Sequence, residues 1–542
     1  MRIWVAALGC VIATAPACTT SGSLDLQLSL PDNADLAPTG MTTVTVVASS
    51  PDIGTNSSTS ILTGRTFSSG PLPIANNVQV DVLFHDVSNR LVGVGEAPNV
   101  IDIVGDKDTK LTIPVRRPFI YASSGTKLYT FDPTLDPRST KFQGELAGFT
   151  APQVAISVGG DRLVVASTNQ LQIVDTATNM VTGSPIAIPG MIKDAAPIPG
   201  SHRIAVAHSA GISIVDIDTG TVTTGGSASV DKVTVGPTLD NRLVAYGLVG
   251  RVAPPAGPVD PCSGSSMLLT IDVDAPDPSA VPVATGQAIS AIAASPDQPM
   301  LFATLPCTNK VSRVDNLKFT DVAALPRAAV LAVANERVWA AGSKPSTPVC
   351  QNSVGVVACT AAAVASCTAT SGIGISYVTT GANLIVLSIP LDGGTPTEVD
   401  VPEPRETMVS LEDDARQHAQ VLRTLGMQPL DLVTLPGGQY VSLITTNTFF
   451  ISALVESSGP SPPNPPPTVI LPCLSAQTAD WLLLDMASSS VANRVRTQCN
   501  LTVGQPSGTL FPNWQCDAPP DGQAPMLDMY QPISIGALFG AR

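Results

Sequence analysis

The stretch Asp161 to Thr178, D-R-L-V-V-A-S-T-N-Q-L-Q-I-V-D-T-A-T, decides the fold. A polar turn opens it, an apolar strand follows, and a second turn leads to a further apolar strand that closes on Asp175, with Thr178 three residues later. Short apolar runs bounded by Gly, Asn, Asp and Ser read as strands. The same unit returns along most of the chain. An apolar strand ends on aspartate at Phe131-Asp132, Val174-Asp175, Val215-Asp216, Ile271-Asp272 and Val314-Asp315, and Leu484-Asp485 repeats the ending much later.

The first five of these endings are spaced by roughly 40 to 56 residues, and in an all-strand chain that period is the signature of propeller blades. The strands before them agree. Arg162–Ala166, Arg203–Ala207 and Arg242–Ala245 each follow a polar turn, and Met300–Ala303 and Arg337–Ala340 continue the series. Upstream lie runs of small apolar residues, Val154–Val158, Lys232–Val235, Ile289–Ala294 and Val330–Val333, which suit the crowded innermost strands around a channel. A sixth blade pairs Arg337–Ala341 with Leu384–Ile389, and a seventh pairs Leu430–Val433 and Tyr440–Thr445 with Trp481–Met486. A carboxylate at the same place in each of these blades reads as a turn former accepting backbone N–H groups, with Thr178 and Thr219 extending the turn.

These readings divide the chain into a signal peptide (1–17), a tether (18–23), a β-sandwich (24–116), a β-propeller (117–503) and a tail (504–542). The fold class is therefore all-β. In the tail, the apolar run Ile533–Leu538 either docks on the sandwich or closes the ring. The sandwich follows from the strict alternation of Leu24-Asp25-Leu26-Gln27-Leu28-Ser29-Leu30 and from further short strands at Thr42–Ala48, Val78–Phe84, Leu91–Val94, Val100–Val104 and Lys110–Val115. Three insertions interrupt the propeller: 342–375, 403–427 and the Pro-rich loop 457–468. Ser410 to Leu425 is expected to be a helix with Ser410 as its N-cap and Gly426 as its stop.

In its hydrophobic-Asp-x-x-Thr form, as in Ile173–Thr178 and Ile214–Thr219, the repeat resembles the YVTN and quinoprotein-like seven-bladed β-propellers. That superfamily includes enzymes, surface-layer proteins and interaction scaffolds, so the resemblance implies a fold and leaves the activity open. Enzymatic members would need a metal or cofactor held by channel-facing side chains. The chain has only four His; His202 falls in a turn, and His202 and His208 read as solvated or edge residues with no third ligand nearby. His85, beside Asp86, reads as a surface turn. Gly93-Val94-Gly95 lacks the third glycine and the helix of a dinucleotide loop. No nucleophile elbow or H-E-x-x-H occurs, and the expectation is no catalytic residues, no metal and no cofactor.

Composition bounds the rest. Of 542 residues only 13% are charged and 4% aromatic, and the net charge of −15 repels phosphate backbones, so nucleic acid is excluded as a partner. Arg2, the apolar run Ile3–Ala15 and the small residues before Cys18 make a secretory signal. Ala15-Pro16-Ala17-Cys18 resembles a bacterial lipobox, implying lipidation of Cys18 and, with Thr19 next, an outer-membrane location; an ordinary A-x-A cleavage and simple secretion is the alternative. Cys262, Cys307, Cys350, Cys359, Cys367, Cys473, Cys499 and Cys516 form an even set suited to disulfides in an oxidising compartment, with the pairing open. Lys193-Asp194 and Asp231-Lys232 are placed just before inner strands of neighbouring blades, at the channel mouth, where a binding role competes with plain rim salt bridges. The functional expectation is an exported cell-envelope lipoprotein acting as a non-catalytic scaffold for a protein or glycan. The alternatives are a propeller hydrolase or lyase with a channel metal, and a surface-layer module.

Overall fold

The structure, a computed structural model, describes residues 21–503 and 534–537 apart from 106, 124–127, 133–142, 147, 150–151, 255–261, 276–280, 335, 345–348, 353–354, 359–375, 379–383, 402–416, 456–468, 487 and 497–499. The signal stretch, Cys18 and the Pro-rich loop therefore lie outside the described residues, as do Cys359, Cys367, Cys499 and Cys516.

The N-terminal unit contains β1 (Ser21–Ser29), β2 (Thr43–Ser50), β3 (Gly54–Ile61), β4 (Thr66–Ser68), β5 (Leu72–Pro73), β6 (Ala75–His85), β7 (Leu91–Glu96), β8 (Ile101–Ile103) and β9 (Asp108–Arg116). Pairing runs β3-β2-β6-β7-β9-β1-β4, with β5 on β1 and β8 on β6. The alternation of β1 behaves as period two requires: Leu24, Leu26 and Leu28 are buried while Asp25, Gln27 and Ser29 are exposed. They share one core with Val44, Val46, Val80, Val82, Phe84, Ile113 and Val115, so the β2–β6 and β1–β9 parts of the path close over the same apolar residues. Of the residues expected as a tether, 18–23, those described from Ser21 onward belong to β1. Ser21 and Gly22 already pair with Pro73 and Leu72, because a ladder needs only backbone groups and tolerates small polar residues.

Four-stranded antiparallel sheets follow, each in chain order from inside to outside. They are β13 (Pro152–Val158), β14 (Arg162–Ser167), β15 (Gln170–Asp175) and β16 (Met180–Ala187); β17 (Ile192–Ile198), β18 (Arg203–His208), β19 (Gly211–Asp216) and β20 (Val222–Gly225); β21 (Lys232–Pro237), β22 (Leu243–Val249), β23 (Met267–Asp272) and β24 (Val283–Ala284); and β25 (Ala291–Ala294), β26 (Leu301–Leu305), β27 (Lys310–Asp315) and β28 (Lys318–Ala324). The next sheet is β29 (Val330–Ala334), β30 (Arg337–Ser343), β34 (Leu384–Pro390) and β35 (Thr397–Val399), with a small inserted sheet of β31 (Val349–Asn352), β32 (Gly355–Ala358) and β33 (Ser376–Val378). A further sheet is β36 (Gln417–Thr434), β37 (Tyr440–Val455), β38 (Val469–Asp485), β39 (Ser490–Arg496) and β40 (Asn500–Val503). The remaining one joins both parts of the chain: β10 (Ile120–Ser123), β11 (Leu128–Phe131) and β12 (Gln143–Leu146) take β41 (Ser534–Ala537) as their innermost strand, Ile120 pairing with Ala537.

Each inner strand lies against the next, β13 on β17, β17 on β21, β21 on β25, β25 on β29, β29 on β36, β36 on β41 and β41 on β13. The ring is thus closed, and the architecture is a β-propeller. Ser534–Ala537, within the apolar run singled out in the tail, supplies the closing strand. Small side chains permit the close approach: a Cβ on Gly236 would lie 2.6 Å from the Ala294 Cβ of the neighbouring inner strand.

One expectation fails here. The helix placed at Ser410 to Leu425 is strand from Gln417 onward, paired residue for residue with β37 (Gln417 with Val455, Leu422 with Phe450). Pairing with a long neighbouring strand overrides the local helical reading. Cys350 and Cys473 lie on β31 and β38.

Candidate functional site

The ring has two faces. The turn face carries the hairpins between first and second strands; the entry face carries the loops leading into the inner strands. The N-terminal unit covers the turn face around much of the ring. Gly437 N donates to the buried Asp81 Oδ2 at 2.9 Å, Thr55 Oγ1 donates to Asp297 Oδ2 at 3.3 Å, and Arg116 Nη1 donates to Thr176 O. Gly200, at φ 68°, packs so closely on Val100 that any Cβ would overlap its Cγ1. Leu36, Leu83, Leu91 and Val94 share a core with Tyr121, Leu163, Val174, Leu435, Tyr440 and Leu483. An apolar interface of that kind fixes the two units together.

His85 belongs to this junction. It is 4% exposed, not a surface turn, and burial lowers its pKa against the pull of Asp485 and Asp86. His202 also differs from expectation. Its Nδ1 lies 2.8 Å from Asp218 Oδ2, and its Nε2 lies 3.3 Å from Asp161 Oδ1 of the preceding blade, off the hydrogen-bonding direction. It therefore links two blades electrostatically.

Three of the repeated aspartates act on their own turns. Asp175 Oδ1 accepts from Ala177 N (2.7 Å), Thr178 N (3.0 Å) and Thr178 Oγ1 (3.3 Å). Asp216 Oδ1 accepts from Asp218 N and Thr219 N, and Asp272 Oδ1 from Asp274 N. Among the described residues no three His, Cys, Asp or Glu side chains come together as a metal site.

A histidine and serine do meet in one blade. His208 Nε2 and Ser213 Oγ are 2.9 Å apart, and Ser213 Oγ is 2.7 Å from Thr224 Oγ1. Ala210 N points at His208 Nδ1 (3.2 Å), which makes Nδ1 the acceptor and Nε2 the proton carrier. The imidazole then donates to the serine, the reverse of a base activating a nucleophile. Both residues are 0% exposed, so His208 is no edge residue and the pair is an interior network.

The channel mouth lies on the entry face. Lys193 and Asp194 stand inside β17, at a bulge between Ile192 and Asp194, and not before it. They cross-pair with the next blade: Lys193 Nζ to Asp231 Oδ1 at 2.6 Å, and Lys232 Nζ to Asp194 Oδ1 at 3.3 Å. Asp194 Oδ2 accepts from Val233 N (3.0 Å), Asp231 Oδ2 from Arg251 N (2.9 Å), and Lys193 Nζ also donates to Ser229 Oγ (2.8 Å). Arg251 Nε is fixed on Ser290 O at 2.7 Å. Asp431 acts on both Asp194 and Lys232 from the inner strand β36 across the ring. Burial raises the Asp194 pKa, with Lys232 pulling it back. Burial works against the Lys232 charge, but Asp194 and Asp431 outweigh it and raise its pKa, so Lys232 is a cation. Burial also pushes Asp231 up, and the Lys193 ammonium and Arg251 N–H outweigh it, holding it below its ordinary value.

Cys262 and Cys307 are disulfide-bonded (S–S 2.13 Å), joining the β22–β23 and β26–β27 loops of adjacent blades on this same face. Sequence reasoning found four mouth residues and missed Arg251, Asp431, Ser229 and Ser290. Arg251 was hidden at the edge of a Pro-rich loop, and Asp431 in a blade whose long strands break the repeat.

No protein-family model matches the chain, and no curated protein matches it. Among solved structures it is similar to the β-propeller domain of Cps50 (Swd1) from Myceliophteria thermophila, at 10% identity and a TM-score of 0.33, covering 65% of this chain and 96% of that one. The fold assignment rests on the strand pairing and not on that likeness.

Proposed function

We propose that the chain is an exported cell-envelope lipoprotein, anchored in the outer membrane through Cys18, whose YVTN-type seven-bladed propeller binds a protein or glycan partner and catalyses nothing. The N-terminal unit is its β-sandwich spacer. The observation that carries the scaffold reading is the asymmetry of the ring. One face is contacted around much of the ring by the N-terminal unit, while the other gathers the charged mouth, the Cys262–Cys307 bridge and the inserted β31–β33 sheet. The His208–Ser213 hydrogen bond runs from the imidazole to the serine and both residues are fully covered, which supports a non-catalytic role.

The anchor and the scaffold are tested separately. Metabolic labelling with a fatty acid is expected to mark the wild type and not Cys18→Ala; equal labelling defeats the anchor. The mature protein is expected to capture a defined component from envelope extract, and Arg251→Gln is expected to lose it. Capture unaffected by changes at the entry face defeats the scaffold reading.

A further inference from the structure

β1 enters its sheet between two exposed apolar side chains. Ser21 pairs with Pro73, the residue before Ile74, and Gly22 lies so close to the next strand that a Cβ on it would stand 2.5 Å from the Val104 carbonyl oxygen. Ala75 and Ile103, both buried, pair between antiparallel β6 and β8, so Ile74 and Val104, one step further on, stand side by side and the pleat turns them outward. They are 47% and 43% exposed. Ser23 N donates to Lys107 O at 3.3 Å, which brings the exposed Lys107 to the same edge. An outward apolar pair beside a long cationic side chain suits a boundary that is apolar on one side and wet on the other.

What covers this pair follows from the length of the leash. Cys18 stands three residues ahead of Ser21, and three residues of chain span at most about 11 Å. A lipid on Cys18 therefore keeps the edge formed by Ile74, Val104 and Lys107 at the bilayer surface. Asp102 accepts from Asn77 N at 3.0 Å and Asp108 from Ser23 Oγ, so two carboxylates share this edge with Lys107, and the apolar pair, not charge, has to carry a contact. Two half-exposed side chains hold nothing on a membrane alone, but on so short a leash the local concentration of lipid is high and a weak contact is enough to orient the molecule. Resting on the anchor reading above, we propose that Ile74 and Val104 form a membrane-contact surface, dipping into the headgroup–acyl boundary of a phospholipid bilayer and fixing how the N-terminal unit stands on it.

Fluorescence of the intact protein, taken from membranes and mixed with vesicles of phosphatidylcholine carrying brominated acyl chains, tests this. Ile74→Trp and Val104→Trp are compared with Ile61→Trp, each read as the emission added to the unsubstituted chain. Ile61 is 75% exposed, and its ladder partner Thr43 pairs with His85, about 30 Å along β6 from Ala75. Bromine is expected to remove most of the emission added at positions 74 and 104 and to spare that added at 61. Ile74→Asp in the Val104→Trp chain is expected to restore the emission while the protein still floats with the vesicles. Where one tryptophan variant fails to fold, the other carries the test. Protein that floats with no quenching at 74 or 104, or with equal quenching at all three positions, overturns the membrane contact and leaves the anchor standing. Protein that stays off the vesicles overturns the anchor, and the contact with it.

Discussion

Asp175 shows what the repeat conserves in physical terms: one carboxylate oxygen gathers three donors of a tight turn that the strand alone would leave to water. Asp175→Ala is expected to lower stability by about 1–2 kcal/mol without changing the fold, measured by denaturant unfolding with an unchanged slope. His202 carries a different kind of information. The Asp161 carboxylate first, with Asp218 beside it and burial opposing, raises its pKa from 6.5 to about 9. The folded chain holds a proton that the unfolded chain releases, so this stabilisation is complete below pH 6.5 and is lost as pH rises through about 9. His202→Gln is expected to cost on the order of 2 kcal/mol near pH 6 and almost nothing near pH 10, read from paired unfolding curves. The turn aspartates were legible in the sequence because their partners lie two or three residues away. The partners of His202, and those of Arg251 and Asp431 at the mouth, come from other blades, and no local pattern announces them.

At the scale of elements, the period-two and repeat signals found the strands well where one blade follows another, and failed where a blade departs from the repeat. β3, G-T-N-S-S-T-S-I, has almost no apolar alternation, yet it pairs along its whole length with β2. β36 carried cap-like residues ahead of it and reads locally as helix; its partner β37 decides otherwise. The junction between units is equally silent in sequence. Gly200 turns the chain at φ 68° directly against Val100, so Gly200→Ala meets both an unfavourable backbone and an occupied space. A loss of about 2–3 kcal/mol is expected, with faster protease cleavage between the N-terminal unit and the ring. An unchanged cleavage pattern would show that the two units are not clamped at that turn.

The whole molecule is held as a circle by a strand far along the chain. A chain shortened to end at Ile533 loses β41, uncovers the inner edge of β10 and breaks the contacts of β13 and β36 with their neighbour. Such a chain is expected to bind a hydrophobic dye, to unfold in a broad transition and to melt well below the intact protein, whereas removal of an outer strand such as β16 costs far less. A sharp, unshifted melt would mean that the circle stands without its clasp. Closure itself was half legible: the apolar run Ile533–Leu538 was visible, but its destination depends on a partner at the opposite end of the sequence.

That distance governs how the molecule is made. Ile120 and Ala537 are joined although roughly 400 residues separate them, and contacts so remote are formed late. During synthesis the first sheet waits, three-stranded and sticky at its inner border, until nearly every other sheet has emerged. The growing polypeptide is therefore most exposed to misassembly and to chaperones just before its final strand arrives.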